Sequence, residues 1–126
     1  MKEGAKGMEP TALKWVFYRE VDVPRDIEEI LVTGEVAEHA FKTVRDAAVF
    51  TNKRLIVKDV QGLTGTKVEI YSLPYSSVHM WSTENAGILD FSSEVELWTR
   101  AGHIKIELKR GIDIRKFERL LAEYIL

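Results

Sequence analysis

The 126 residues predict a mainly β fold, a meander of antiparallel strands followed by one amphipathic C-terminal helix. Three observations carry this. Turn signals recur at short, regular spacing with no internal repeat or low-complexity tract. Apolar and polar residues alternate with a period of two between the turns, and after Gly111 the period becomes helical.

The elements follow in order. Val36 to Val44 is mixed apolar and polar, and Ala47–Thr51 and Leu55–Val60 are apolar. The polar step Thr51-Asn52-Lys53-Arg54 between Val49-Phe50 and Leu55-Ile56-Val57 reads as one strand turning into the next. Gln61-Gly62-Leu63-Thr64-Gly65 supplies a glycine-flanked connection to a strand in which Val68, Ile70 and Ser72 alternate with Lys67, Glu69 and Tyr71. Pro74, lacking an N–H, interrupts the ladder, and Val78 to Thr83 resumes it around a corner. Val95 and Leu97 oppose Glu94, Glu96 and Trp98; Thr99-Arg100-Ala101-Gly102 closes a hairpin; Ile104, Ile106 and Leu108 oppose Lys105, Glu107 and Lys109. In the final segment Ile114, Phe117, Leu121 and Tyr124 share one helical face, flanked by Leu120, with Arg115, Lys116, Glu118 and Glu123 opposite and Asp113 placed as N-cap. The apolar stripe suits a lid over the sheet, a partner-binding helix being the alternative.

The length fits one domain. Absence of cysteine excludes disulfides, thiolate nucleophiles and cysteine-bound metals, and fits a reducing compartment. Met1 to Met8 has no apolar core and no stretch approaches a membrane span, so the expected location is cytoplasmic. A net charge of −2 argues against nucleic acid as a partner. Charge is unevenly spread: Glu20 to Glu38 holds seven acids and the single base Arg25, whereas Lys42 to Lys58 holds five bases and the single acid Asp46. The two segments are either self-complementary or simply two solvated stretches of opposite sign.

Chemistry is sparse. His39, His79 and His103 lie in or beside different strands without metal-ligand spacing, and no nucleophile elbow, phosphate loop or dinucleotide fingerprint occurs. Glu84 and Asp90 flank Ala86-Gly87 and could pair as carboxylates, although loop solvation explains them as well. No enzyme activity, metal or cofactor is expected.

The chain resembles the short bacterial proteins of pleckstrin-homology-like fold. The matching pieces are Gly34-Glu35, Phe41 to Asp46, Val49 to Ile56, Gly62 to Gly65, Ser72-Leu73-Pro74-Tyr75-Ser76-Ser77-Val78, Glu84-Asn85-Ala86-Gly87, and Asp113-Ile114 through Leu126, in family order from about residue 24. The resemblance implies a seven-stranded, strongly bent β-sandwich or partly open barrel over 24–126 and a ring-forming homo-oligomer, a pentamer among the rings open to it. It implies no enzyme activity. Residues 1–23 fall outside the resemblance as an N-terminal extension, helical or a packing arm, whose Ala12, Leu13, Trp15, Val16, Phe17 and Tyr18 require cover. Packing on the domain or a neighbouring subunit, a membrane-surface anchor and a partly ordered arm are the options.

Two binding hypotheses result. In the first, Tyr71 and Trp98 face outward by strand parity and bury in contacts between copies, or are covered within one subunit by the second sheet or the arm. A protein or peptide adding to a sheet edge is a further version. In the second, Lys42, Arg45, Lys53, Arg54 and Lys58 hold an anionic lipid or phosphate by analogy with eukaryotic pleckstrin-homology domains. There parity sends Lys42 and Arg45 to opposite faces unless a bulge intervenes, and a membrane surface is not the expected partner.

Overall fold

A computed structural model of the chain describes residues 11–87 and 92–126. Among these residues nine strands form two sheets: β1 (Thr11–Phe17), β2 (Glu20–Val21), β3 (Ala37–Lys42), β4 (Asp46–Thr51), β5 (Arg54–Gln61), β6 (Lys67–Pro74), β7 (Val78–Glu84), β8 (Ser93–Thr99) and β9 (Gly102–Leu108). One sheet runs β2-β3-β4-β5-β6, the other β1-β9-β8-β7, and helix α1 (Ile114–Ile125) packs against them. The expected strands from β3 to β9 and the helix are in place. The turn glycines Gly34, Gly62, Gly65 and Gly102 all have positive φ.

Residues 11–17 are strand, not helix. Leu13, Trp15 and Phe17 point into the main core while β1 runs parallel to β9, from Thr11 opposite His103 to Phe17 opposite Leu108. Phe17 is fully buried. The chain then crosses to the other sheet: Tyr18 N–H donates to Lys42 O (2.8 Å) and Lys42 N–H to Arg19 O (2.9 Å). That crossing closes one corner of the sandwich.

Between the sheets, Phe17, Phe41, Phe50 and Phe117 pack ring on ring at centroid separations of 5.5–6.1 Å. α1 delivers Phe117 because Asp113 caps it, accepting at Oδ1 from Arg115 N (2.9 Å) and Lys116 N (3.4 Å). A smaller core lies on the far side of the five-stranded sheet. There Ile27, from a 3-10 turn over Arg25–Ile30, covers Ala40, Val49 and Ile56, with Val21, Val23 and Leu31 around it.

The parity expected for β6 is inverted. Tyr71 lies opposite Val57 and Leu73 opposite Leu55, so the odd-numbered residues face the main core. Val68 and Ile70 look outward, 48% and 43% exposed. The β5–β6 hairpin runs past the end of the core, and there a β-branched side chain no longer marks the buried face.

Candidate functional site

The Thr-Asn-Lys-Arg step is a polar clasp. Thr51 Oγ1 accepts from Lys53 N (3.0 Å) and Arg54 N (2.9 Å) and donates to Glu35 Oε2 (2.7 Å). Asn52 binds the same incoming loop through its side chain, accepting from Val36 N (2.8 Å) and donating to Gly34 O (3.1 Å). Arg54 donates to both Glu35 oxygens (2.8 and 3.1 Å), to Ile30 O (2.9 Å) and to Ser72 Oγ (3.0 Å). From the other side Tyr75 Oη donates to Thr51 O (2.6 Å) and Arg54 O (2.9 Å). The Glu35 side chain is wholly buried, and Arg54 holds its carboxyl down to about 2, against the opposing effect of burial. Arg54, expected as an anion ligand, has its guanidinium occupied by Glu35. Glu35, Thr51 and Tyr75 went unrecognised because their partners lie 16 to 24 residues away.

The other basic candidates are dispersed. Lys53 sits with Arg54 at the β4–β5 turn, at one end of β4, while Lys42, Arg45 and Lys58 lie toward the other. A six-residue strand separates the two groups by roughly 17–20 Å. Arg45 Nε lies 3.6 Å from Asp59. Lys58 donates to Asp26 and stands 3.5 Å from Asp46; the bond to Asp26 is the chief cause of its raised pKa. The acidic and basic segments are thus self-complementary in part: Asp26 and Glu35 of the first lie over Lys58 and Arg54 of the second. Lys42 and Lys53 are exposed, and Lys14 joins Arg45 and Lys58 around an open cleft of about 250 Å³ that also holds Asp59.

The two aromatic candidates part company. Tyr71 is half-buried, its ring 6.0 Å from Trp15, and donates to Glu69 Oε1 (3.0 Å), a bond that raises its pKa. It plugs the sandwich and is not an outward anchor. Trp98 keeps the outward parity: it belongs to neither core and stacks on His103 at 5.1 Å. Met80, opposite Trp98 in register, is 54% exposed. His103 is fixed by Thr11 Oγ1 at Nδ1 (3.2 Å) and Glu96 Oε1 at Nε2 (2.7 Å).

His39 contacts Glu20 (3.0 Å) on the rim of a cleft of about 270 Å³ floored by Phe41, Phe117 and Leu120. Among the described residues no group of three or more His, Asp or Glu could hold a metal, and no helix is long and apolar enough to cross a membrane. Glu84 is at the exposed end of β7; its suggested partner Asp90 lies outside the described residues.

Comparison with known proteins agrees with this architecture. The chain is 41% identical over 103 residues to the uncharacterized protein YjqA of Bacillus subtilis (strain 168), covering 79% of this chain and 82% of YjqA. It is 29% identical to YozO of the same organism, covering 80% and 88%. Among solved structures it is similar to a DUF1696 family protein with a pleckstrin-homology domain from Shewanella loihica PV-4, with a TM-score of 0.76 at 33% identity over 86% of this chain and 98% of that one. A pleckstrin homology domain from Shewanella amazonensis SB2B aligns with a TM-score of 0.65 at 40% identity, covering 80% and 83%. Residues 9–125, from just before β1 to the end of α1, match the bacterial PH domain family, and the chain belongs to it.

Proposed function

We propose that this PH-like domain is a non-catalytic interaction module that assembles with copies of itself and presents the assembly as a scaffold. The observation that carries the reading is the outer face of the four-stranded sheet, where Trp98 and Met80 stand opposite each other outside both cores. An aromatic ring beside a flexible thioether on an outward strand face is the composition of an interface centre. The anion-binding alternative is not carried forward, because the five basic residues do not converge and Arg45, Arg54 and Lys58 are paired with acids.

Absolute mass by light scattering during size exclusion tests the reading. The wild type is expected as a discrete multimer, five subunits matching the ring implied by the sequence resemblance, and Trp98→Glu as a smaller species with unchanged circular dichroism. A wild type that stays monomeric at high concentration overturns the proposal, and an unchanged assembly in Trp98→Glu removes this face from it.

A further inference from the structure

The cleft of about 270 Å³ beside His39 opens between the two-residue strand β2, its neighbour β3 and the first turn of α1. Its floor is apolar. Phe41 and Phe117 stand edge to face at 5.5 Å, both almost wholly buried in the main core, and Leu120 beside them is only partly covered. Pockets for drug-sized ligands run from about 300 to 1,000 Å³, so a cleft of this size suits a small metabolite.

The rim carries both signs of charge, and part of it is already engaged. Asp113 Oδ1 caps the helix, accepting from Arg115 N (2.9 Å) and Lys116 N (3.4 Å). His39 Nδ1 lies 3.0 Å from Glu20 Oε2; a carboxylate only accepts, so the imidazole donates there and holds the acid in place. What stays uncommitted among the described residues is one group of each sign, Glu20 Oε1 on the strand wall and Lys116 Nζ on the helix wall. The two line one cleft, yet no ion pair joins them. Opposite charges held apart over an apolar floor select for a molecule that carries both. A purely anionic ligand meets Glu20, and a purely cationic one meets Lys116.

We infer that this cleft binds a free apolar α-amino acid, aromatic by preference, with its ammonium group on Glu20, its carboxylate on Lys116 and its side chain on Phe41, Phe117 and Leu120. A third ring packs well against two that already stand edge to face. Both charged walls are exposed to water, so each contact is modest and a dissociation constant of about 1 mM is the expected scale. The site belongs to the five-stranded sheet and the helix, apart from the Trp98 face, and does not depend on the assembly reading.

Saturation-transfer NMR on the full chain tests it, with L-phenylalanine, phenethylamine, which lacks the carboxylate, and 3-phenylpropionate, which lacks the ammonium, titrated separately. L-Phenylalanine is expected to bind about three- to tenfold more tightly than either truncated analogue. Lys116→Met should weaken L-phenylalanine by a similar factor and leave phenethylamine unchanged. Glu20→Gln should weaken L-phenylalanine and leave 3-phenylpropionate unchanged. Leu120→Trp, filling the floor, should abolish all three signals, with circular dichroism showing each variant folded. No saturable signal from L-phenylalanine overturns the site, and an analogue that binds as tightly as L-phenylalanine overturns the zwitterionic class. Binding untouched by both Lys116→Met and Glu20→Gln overturns the placement. Each of these failures leaves the light-scattering test of assembly as it stands.

Discussion

Arg54→Met is the sharpest probe of how the domain is held together. Methionine keeps an unbranched apolar stem and removes the guanidinium, cutting four hydrogen bonds, two of them to a buried carboxylate. Glu35 would retain only Val32 N–H (3.0 Å) and the Thr51 hydroxyl (2.7 Å). Stranding one member of a buried pair costs about 3–5 kcal/mol. The fall in the Glu35 pKa from 4.5 to about 2 gives an independent figure of about 3 kcal/mol, an upper bound for the pair because Val32 and Thr51 share in it and Arg54 is partly solvated. A loss of roughly 2–4 kcal/mol is therefore expected, seen in urea as a midpoint lower by about 1–2 M at unchanged slope. Glu35→Gln added to Arg54→Met removes the stranded charge and should recover a substantial part of the loss. A midpoint shift of under about 0.3 M, or strictly additive effects of the two substitutions, would refute the clasp as an energetic unit.

Three further outcomes follow from the same geometry. Because the folded Glu35 pKa is depressed, its stabilising contribution is complete above about 4.5 and lost as pH falls toward 2; urea midpoints of wild type should drop through that window more steeply than those of Glu35→Gln. Phe17→Ala, at a fully buried ring stacked on Phe41 at 5.6 Å, should cost about 3–5 kcal/mol in the same assay, whereas an arm merely resting on the domain would cost little. Tyr75→Phe keeps the 4.8 Å stack on Tyr124 but withdraws the donor shared by Thr51 O and Arg54 O, lowering stability by about 1–2 kcal/mol.

Most of the sheet was legible because it is local. Period-two alternation in Val95–Leu97 and Ile104–Leu108, glycines at the tight turns, and the helical spacing of Phe117 and Leu121 are each set by near neighbours in the chain. What escaped depends on distance along the chain. β1 finds its partner about ninety residues away, so the run Trp15-Val16-Phe17-Tyr18 showed only that something must cover it. Val68 and Ile70 look like core residues and by alternation turn Tyr71 outward, yet the cross-strand partners Val57 and Leu55 decide the parity. The basic cluster read as a ligand site because the acids that neutralise it, Asp26 and Glu35, are 32 and 19 residues from Lys58 and Arg54. Trp98 kept its outward place because its strand lies in a regular hairpin with one wet face.

The parallel pairing of β1 with β9 also bears on how the domain is made. Thr11–Phe17 leaves the ribosome about ninety residues ahead of His103–Leu108, so while everything between them is made β1 has no β9 to pair with. The strand that leads across to the other sheet thus waits for β9, and the loop that their pairing closes spans most of the described domain. Chains that lack β9 would leave Leu13, Trp15 and Phe17 without that neighbouring strand, apolar surface of the kind that chaperones hold.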